Sequence, residues 1–304
     1  MTKTLVVTGI DGFVGHHVAV AARAAGYLVR GVARTDAVSA STRELLMSMH
    51  IADLRKEWPE GLIGDAVVHL AGLAAVGPSF EQPQKYIEAN SAMVTQVCEA
   101  HLGANAFSTR ILGVSTGGVY RSPSTNEPLR EDAEVTASSP YVVSKLLVER
   151  QFEYYRQRGL STLMARPFNH IGPGQRLGFI VPDLVASLAV PSSRARLTVG
   201  NLSTRRDYTD VRDVARAYVL MVGSEAPNLV YNVASGRSFS GRDILNAICR
   251  SLGRSMPELV VDEERLRPTD AHDIKGDAGR LRRDFGWSPT IPLEGSIADY
   301  LKAP

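Results

Sequence analysis

A chain of 304 residues, 44% hydrophobic and 22% charged, has enough apolar material for one large α/β domain or for a large and a small lobe. A formal net charge of +2, with basic runs no longer than Arg205-Arg206 and Arg280-Leu-Arg282-Arg283, excludes a nucleic-acid arm and suits small anionic ligands. No apolar run reaches membrane-spanning length, Met1-Thr-Lys-Thr leads straight into a strand, and Cys98 and Cys249 read as buried thiols in helical stretches, so a cytoplasmic protein with no membrane partner is expected.

The first buried strand runs from Thr4 to Thr8 and opens into Gly9-Ile-Asp-Gly12-Phe-Val-Gly15. An Ala/Val-rich stretch from Phe13 to Ala25, closed by Gly26, has the length of a crossover helix. Further buried strands are expected at Leu28 to Ala33, Ala66 to Leu70, Ile111 to Val114 and Leu163 to Ala165, separated by amphipathic helices. That alternation predicts a Rossmann-type α/β fold, a doubly wound and mainly parallel sheet. After Arg166-Pro167 the texture turns to the Gly- and Pro-rich Asn169 to Gln175, where a smaller C-terminal lobe begins. Leu229 to Val233 reads as a strand that rejoins the main sheet. The expected organisation is therefore a dinucleotide-binding domain at 1–167, rejoined by about 211–236, and a discontinuous substrate lobe at 168–210 and 237–304.

Three glycines between a strand and a helix bring backbone N–H groups and the positive end of the helix macrodipole to one point, where a pyrophosphate can be held. At the tip of the second strand stands Ala33-Arg34-Thr35, with no carboxylate until Asp36. A carboxylate there would read the ribose hydroxyls of NAD, whereas an arginine pairs with the 2′-phosphate of NADP, so Arg34 points to NADPH, with NADH possible.

Tyr141 and Lys145 lie one helical turn apart after Pro140, so their side chains leave one helix face about 6 Å apart. An ammonium beside a phenol favours the phenolate, and the expectation is a Tyr141 acidified by Lys145. Thr116, in Val114-Ser-Thr116-Gly-Gly-Val-Tyr120, follows a strand and is expected to hydrogen-bond the reacting oxygen.

These motifs, with His69-Leu-Ala-Gly72, resemble the extended short-chain dehydrogenase/reductases from end to end. The resemblance implies a catalytic triad of Thr116, Tyr141 and Lys145 and a nucleotide-sugar lobe after Pro167. The expected cofactor contacts are Gly9, Asp11, Gly12, Phe13, Val14, Gly15, Arg34, Asp53, Leu54, Leu70, Ala71, Gly72, Tyr141, Lys145 and Pro167, with no metal.

Within that family, Ala165 to Gln175, Arg205 to Val214, Arg267-Pro-Thr-Asp270 and Gly276-Asp277 are most similar to GDP-6-deoxy-4-keto-mannose reductases, which reduce a C4 ketone to form GDP-D-rhamnose. This implies a nucleoside-diphosphate sugar, GDP-linked, as partner. Ser79, Thr116, Asn169, Val181, Arg206 and Arg267 are the implied substrate contacts, the arginines as diphosphate clamps. Pairing through the helices at 85–102 and 141–155 implies a homodimer. Related dehydratases carry an Asp and a Glu directly after the Thr; here Gly117 and Gly118 leave elimination without its acid and base. Arg121 stands where a Gly is usual, a large cation at the rim. Two other functions use the same motifs: a 4-epimerase that keeps NAD tightly bound, and a non-enzymatic NAD(P) sensor.

Overall fold

The computed structural model describes residues 2–123, 125–189, 196–225, 227–262 and 272–302. In chain order the strands are β1 (Thr4–Thr8), β2 (Leu28–Ala33), β3 (Leu46–Ile51), β4 (Ala66–His69), β5 (Arg110–Val114), β6 (Ser161–Pro167), β7 (Asn169–Ile171), β8 (Arg196–Val199), β9 (Arg205–Asp210), β10 (Val230–Val233), β11 (Ser238–Ser240), β12 (Glu258–Val261) and β13 (Asp273–Ile274). The helices are α1 (Phe13–Ala24), α2 (Ala40–Arg43), α3 (Val76–Glu81), α4 (Pro83–Gly103), α5 (Pro140–Gln157), α6 (Ile180–Ala189), α7 (Val211–Gly223), α8 (Gly241–Ser251), α9 (Gly279–Phe285) and α10 (Leu293–Lys302).

A parallel seven-stranded sheet runs in the order β10-β6-β5-β4-β1-β2-β3. The strand order reverses at β1/β4, and there the C-terminal strand ends open a crevice for ligands. Leu5, Val6 and Val7 of β1 are all buried because helices cover both faces. Leu5, Val7, Val68 and Leu112 pack with residues of α1 and α7; Val6, Val67 and Ile111 pack with residues of α4 and α5. At one edge β10 pairs with β6, from Val230 with Met164 to Val233 with Pro167. At the other edge lies β3, which sequence patterning does not reveal. Ser48 and His50 interrupt its apolar residues, and an edge strand has one neighbour to bury against instead of two.

In the second lobe β9 is flanked by antiparallel β11 and by parallel β13 and β7. Ile171, Tyr208, Ile244, Ile248 and Ile297 form the core under α6, α8 and α10. α7 starts directly after β9, capped by the Asp210 side chain, and returns to pack against α1. One uninterrupted β9–α7 segment thus joins the four-stranded sheet to the helical layer on the seven-stranded one. Buried Asp213 of α7 accepts from Thr290 N at 2.8 Å, Ile291 N at 2.9 Å and Thr290 Oγ1 at 2.9 Å, and also from Arg216. Trp287 Nε1 donates to the Asp213 carbonyl at 3.0 Å, so both the side chain and the backbone of Asp213 hold the C-terminal segment against α7.

Removing that carboxylate takes the partner from the Thr290 and Ile291 N–H groups and from the Thr290 hydroxyl at once. Asp213→Ala is expected to destabilise the fold by about 3 kcal/mol, read by urea unfolding, with Trp287 fluorescence moving to the red as the segment is released.

Candidate active site

The turn after β1 brings two backbones closer than any side chain allows. Gly9 has φ +66°, and a Cβ on it would lie 2.9 Å from Ala71 N. A Cβ on Gly15 would lie 2.6 Å from the Gly9 carbonyl oxygen. Gly12 is the N-cap of α1 and supplies no side-chain cap, which leaves the first-turn N–H groups directed at the crevice. A cavity of about 300 Å³ opens here. Gly9, Asp11, Gly12, Arg34, Asp53, Leu54, Leu70, Ala71 and Gly72 line it. The donor set and the cradle that a Cβ would fill both fit a dinucleotide.

Phe13, Val14 and Gly15 follow in the first turn of α1, outside the cavity lining, and Pro167 ends β6 in the core. Exposed Arg34 stands just past the tip of β2. The nearby Asp36 carboxylate is held by Arg43 Nη2 at 2.8 Å. Asp53 is clasped by Arg55 at 2.8 and 2.5 Å, and these hydrogen bonds hold its carboxyl down to about 2. Arg55 and Lys85 also line the cavity, although no sequence motif marks them. Their only signal was proximity to Asp53 and to a helix start, since β3, which delivers Asp53, is not legible.

At the other end of the crevice, Thr116 caps the short turn Gly117–Val119, its Oγ1 accepting the Gly118 N–H at 3.1 Å. That acceptance leaves the Thr116 proton available to a second partner. α5 begins with Ser139 as N-cap and Pro140 in its first turn, and turns Tyr141 and Lys145 inward, each 9% exposed. Lys145 Nζ donates to the Val114 carbonyl at 2.8 Å and lies 5.9 Å from the Tyr141 ring centroid. Burial pushes the Tyr141 phenol up to about 12, a hydrogen bond with Thr116 opposing it. Burial also brings the Lys145 ammonium down to about 8, with the Glu149 charge opposing. The acidified phenol expected from the sequence is therefore corrected: with Lys145 turned to Val114, desolvation dominates and Tyr141 stays protonated at neutral pH.

Two neighbours complete this end. His69, at the end of β4, pairs through Nδ1 with Thr8 Oγ1 at 2.9 Å and is pushed down to about 3, by burial first and Lys145 second. It stays neutral and adds no charge beside the ammonium. Asn90 of α4 accepts from Leu73 N at 2.8 Å and donates to Ser144 Oγ at 2.9 Å, joining α4 and the β4 loop to α5.

Of the residues expected to contact substrate, Asn169 is exposed at the start of β7, and Arg206 on β9 donates to the Arg205 carbonyl at 2.8 Å. Ser79 is fully buried, its hydroxyl donating to the Val76 carbonyl at 2.6 Å, and Val181 is fully buried in the small-lobe core. Arg267 lies outside the described residues. A Cβ on Gly117 would meet the Phe168 ring at 2.9 Å, while at Gly118 the nearest atom would be Thr116 Oγ1 at 3.4 Å. Arg121 pairs with Glu134 at 2.6 Å.

Residues 6–300 match the family described as GDP-mannose 4,6 dehydratase. The chain is 33% identical to GDP-6-deoxy-D-mannose reductase of Pseudomonas aeruginosa, covering 99% of this chain and 97% of that protein. It is 30% identical to UDP-glucose 4-epimerase 4 of Oryza sativa subsp. japonica, over 98% of this chain and 89% of that one. Among solved structures, RMD from Pseudomonas aeruginosa complexed with NADPH superimposes with a TM-score of 0.82 at 31% identity, covering 99% of this chain and 98% of that one.

Gly9→Ala sets an L side chain in a left-handed conformation against Ala71. It is expected to weaken NADPH binding about ten-fold or more, measured by quenching of protein fluorescence, while the far-ultraviolet circular dichroism is retained.

Proposed function

The chain belongs to the GDP-mannose 4,6 dehydratase family of extended short-chain dehydrogenase/reductases, which are NAD(P)-dependent enzymes, and from that premise we propose that it is a 4-ketoreductase. Its substrate is a nucleoside-diphosphate 4-keto-6-deoxyhexose, GDP-4-keto-6-deoxy-D-mannose, reduced with NADPH to GDP-D-rhamnose. The observation that carries this reading is the pair Gly117-Gly118 next to an intact Thr116, Tyr141 and Lys145. The triad has what hydride addition to a ketone needs, and the two positions that would serve elimination hold no titratable group. The Phe168 ring over Gly117 excludes a side chain there as well.

Bound nicotinamide supplies the hydride. The chain's own residues handle the charge that develops on the ketone oxygen. Tyr141, protonated at neutral pH, donates its phenolic proton to that oxygen, and Thr116 directs its remaining O–H at the same atom. Lys145, anchored on the Val114 carbonyl, keeps a positive charge behind the phenol as it gives up its proton. Asn169 and Arg206, with Arg267, hold the sugar diphosphate, whereas Ser79 and Val181 are fully buried and present no surface to it. NADPH is favoured because Arg34 lines the cavity just past the tip of β2, where it can meet a 2′-phosphate, while Asp36, the first carboxylate after β2, lies outside the lining and pairs with Arg43. The exposed stripe Val143, Leu147 and Tyr154 along α5 supports pairing of two copies through this helix.

Incubation with GDP-4-keto-6-deoxy-D-mannose and NADPH should consume one NADPH per sugar and yield the rhamno product by NMR. Redox-neutral turnover by protein purified with stoichiometric NAD would instead establish epimerisation. Tyr141→Phe should lower kcat by about 10²- to 10⁴-fold while the KM for both ligands holds. Arg34→Ala should raise the KM for NADPH roughly ten-fold and leave that for NADH unchanged; an equal effect on both cofactors would remove Arg34 from the 2′-phosphate site.

A further inference from the structure

One buried cation and one buried anion behind the triad have no part in the chemistry described so far. Glu149 lies one helical turn beyond Lys145 and two beyond Tyr141, on the same face of α5. Arg166 of β6 grips it with both ends of the guanidinium, Nε to Oε1 at 2.8 Å and Nη2 to Oε2 at 2.7 Å, with the side chains only 8% and 11% exposed. The third nitrogen, Nη1, donates to Tyr120 Oη at 3.0 Å and to the Glu131 carbonyl at 3.2 Å. The guanidinium also sits 5.0 Å over the Tyr120 ring. Tyr120 in turn donates to Asn232 Oδ1 at 2.6 Å. A single side chain therefore touches both the helix that carries Tyr141 and Lys145 and the segment that carries Thr116.

We propose that Glu149 and Arg166 are positioning residues of the triad: Arg166 locks α5 to the Thr116–Tyr120 segment, and Glu149 is the counter-charge that keeps Lys145 an ammonium. A buried ion pair is a poor device for stability alone, since apolar side chains of similar size usually serve as well. This pair is placed where charge and register both matter. The groups facing Lys145 and Tyr141 from the packed elements are His69 of β4, Tyr86 of α4 and Tyr218 of α7. Burial keeps each of them neutral near pH 7: it lowers His69 to about 3 and raises both tyrosines. Glu149 is the charge that offsets the desolvation of Lys145, and its geometry is fixed by Arg166.

The kinetic part of this inference rests on the ketoreductase reading; the titration does not. Lysines occur at 3, 56, 85, 145, 275 and 302, so a lysine-selective ¹³Cε NMR titration is tractable, with the Lys145 resonance assigned by its loss in Lys145→Met. An ammonium exists below its midpoint, so activity that needs it falls as pH rises through that midpoint, and removing the counter-charge moves the fall to lower pH. In Glu149→Gln the Lys145 midpoint and the alkaline limb of kcat should both drop by about one unit, and Glu149→Asp should restore both. Glu149→Leu/Arg166→Met removes the cation together with the anion, so its Lys145 midpoint should fall less than that of Glu149→Gln. An unchanged midpoint in folded Glu149→Gln overturns the assignment, as does a failure of Glu149→Asp to restore it. If the midpoint moves but the wild type reduces no ketosugar, the assignment stands and the functional reading falls; if ketone reduction is present and the midpoint stays, the reverse holds.

Discussion

Taking the Lys145 ammonium out of water is the constraint around which this end of the molecule is arranged. An ammonium at 9% exposure is costly unless polar groups take over from solvent, and the chain provides the Val114 carbonyl, while the more distant Glu149 charge opposes the desolvation. The same dryness determines the state of the neighbours. It keeps Tyr141 protonated and His69 neutral, so one positive charge stands behind one proton donor with no competing titration near pH 7. Electrostatic effects are strongest where water is excluded, which is where a developing oxyanion needs them.

Phe168 links that chemistry to the architecture. Its ring lies over Gly117 at the catalytic turn, stacks on Tyr120 at 6.0 Å between centroids, and packs where Gly276 leaves room for it. Gly276 is held by Asp207, a buried carboxylate that also accepts from Ser235 N at 2.8 Å, Ser235 Oγ at 2.6 Å and Gly236 N at 2.8 Å. The residue that leaves no room for an acid beside Thr116 is thus also part of the joint between the lobes. The ring accounts for glycine at 117, whereas a Cβ at 118 would meet only ordinary contacts.

Relatives named as a reductase, an epimerase and dehydratases all match this chain over nearly its whole length. Such breadth means that membership of the family does not by itself fix which of these reactions is performed. On the reading proposed above, discrimination rests on the positions next to Thr116, where Phe168 leaves no room for a side chain at 117, and on the charged groups past β2, Arg34 and the Arg43–Asp36 pair.

Residue patterns alone determined the parallel sheet, because strands buried on both faces must be continuous apolar runs, and Leu5 to Val7 or Ala66 to Val68 are legible as such. They also determined the glycine turn and the Tyr141/Lys145 face, since tight turns and helical spacing are local properties of the chain. Only the tertiary structure decided what those groups experience. It revealed β3, whose mixed composition carries no periodic signal, and with it the Asp53–Arg55 clasp. It reversed the expected shift of Tyr141 and brought Arg166, a strand residue, onto Glu149, a helix residue seventeen positions away. Burial depth and long-range ion pairing are sums over neighbours from distant parts of the chain, and no local pattern encodes them.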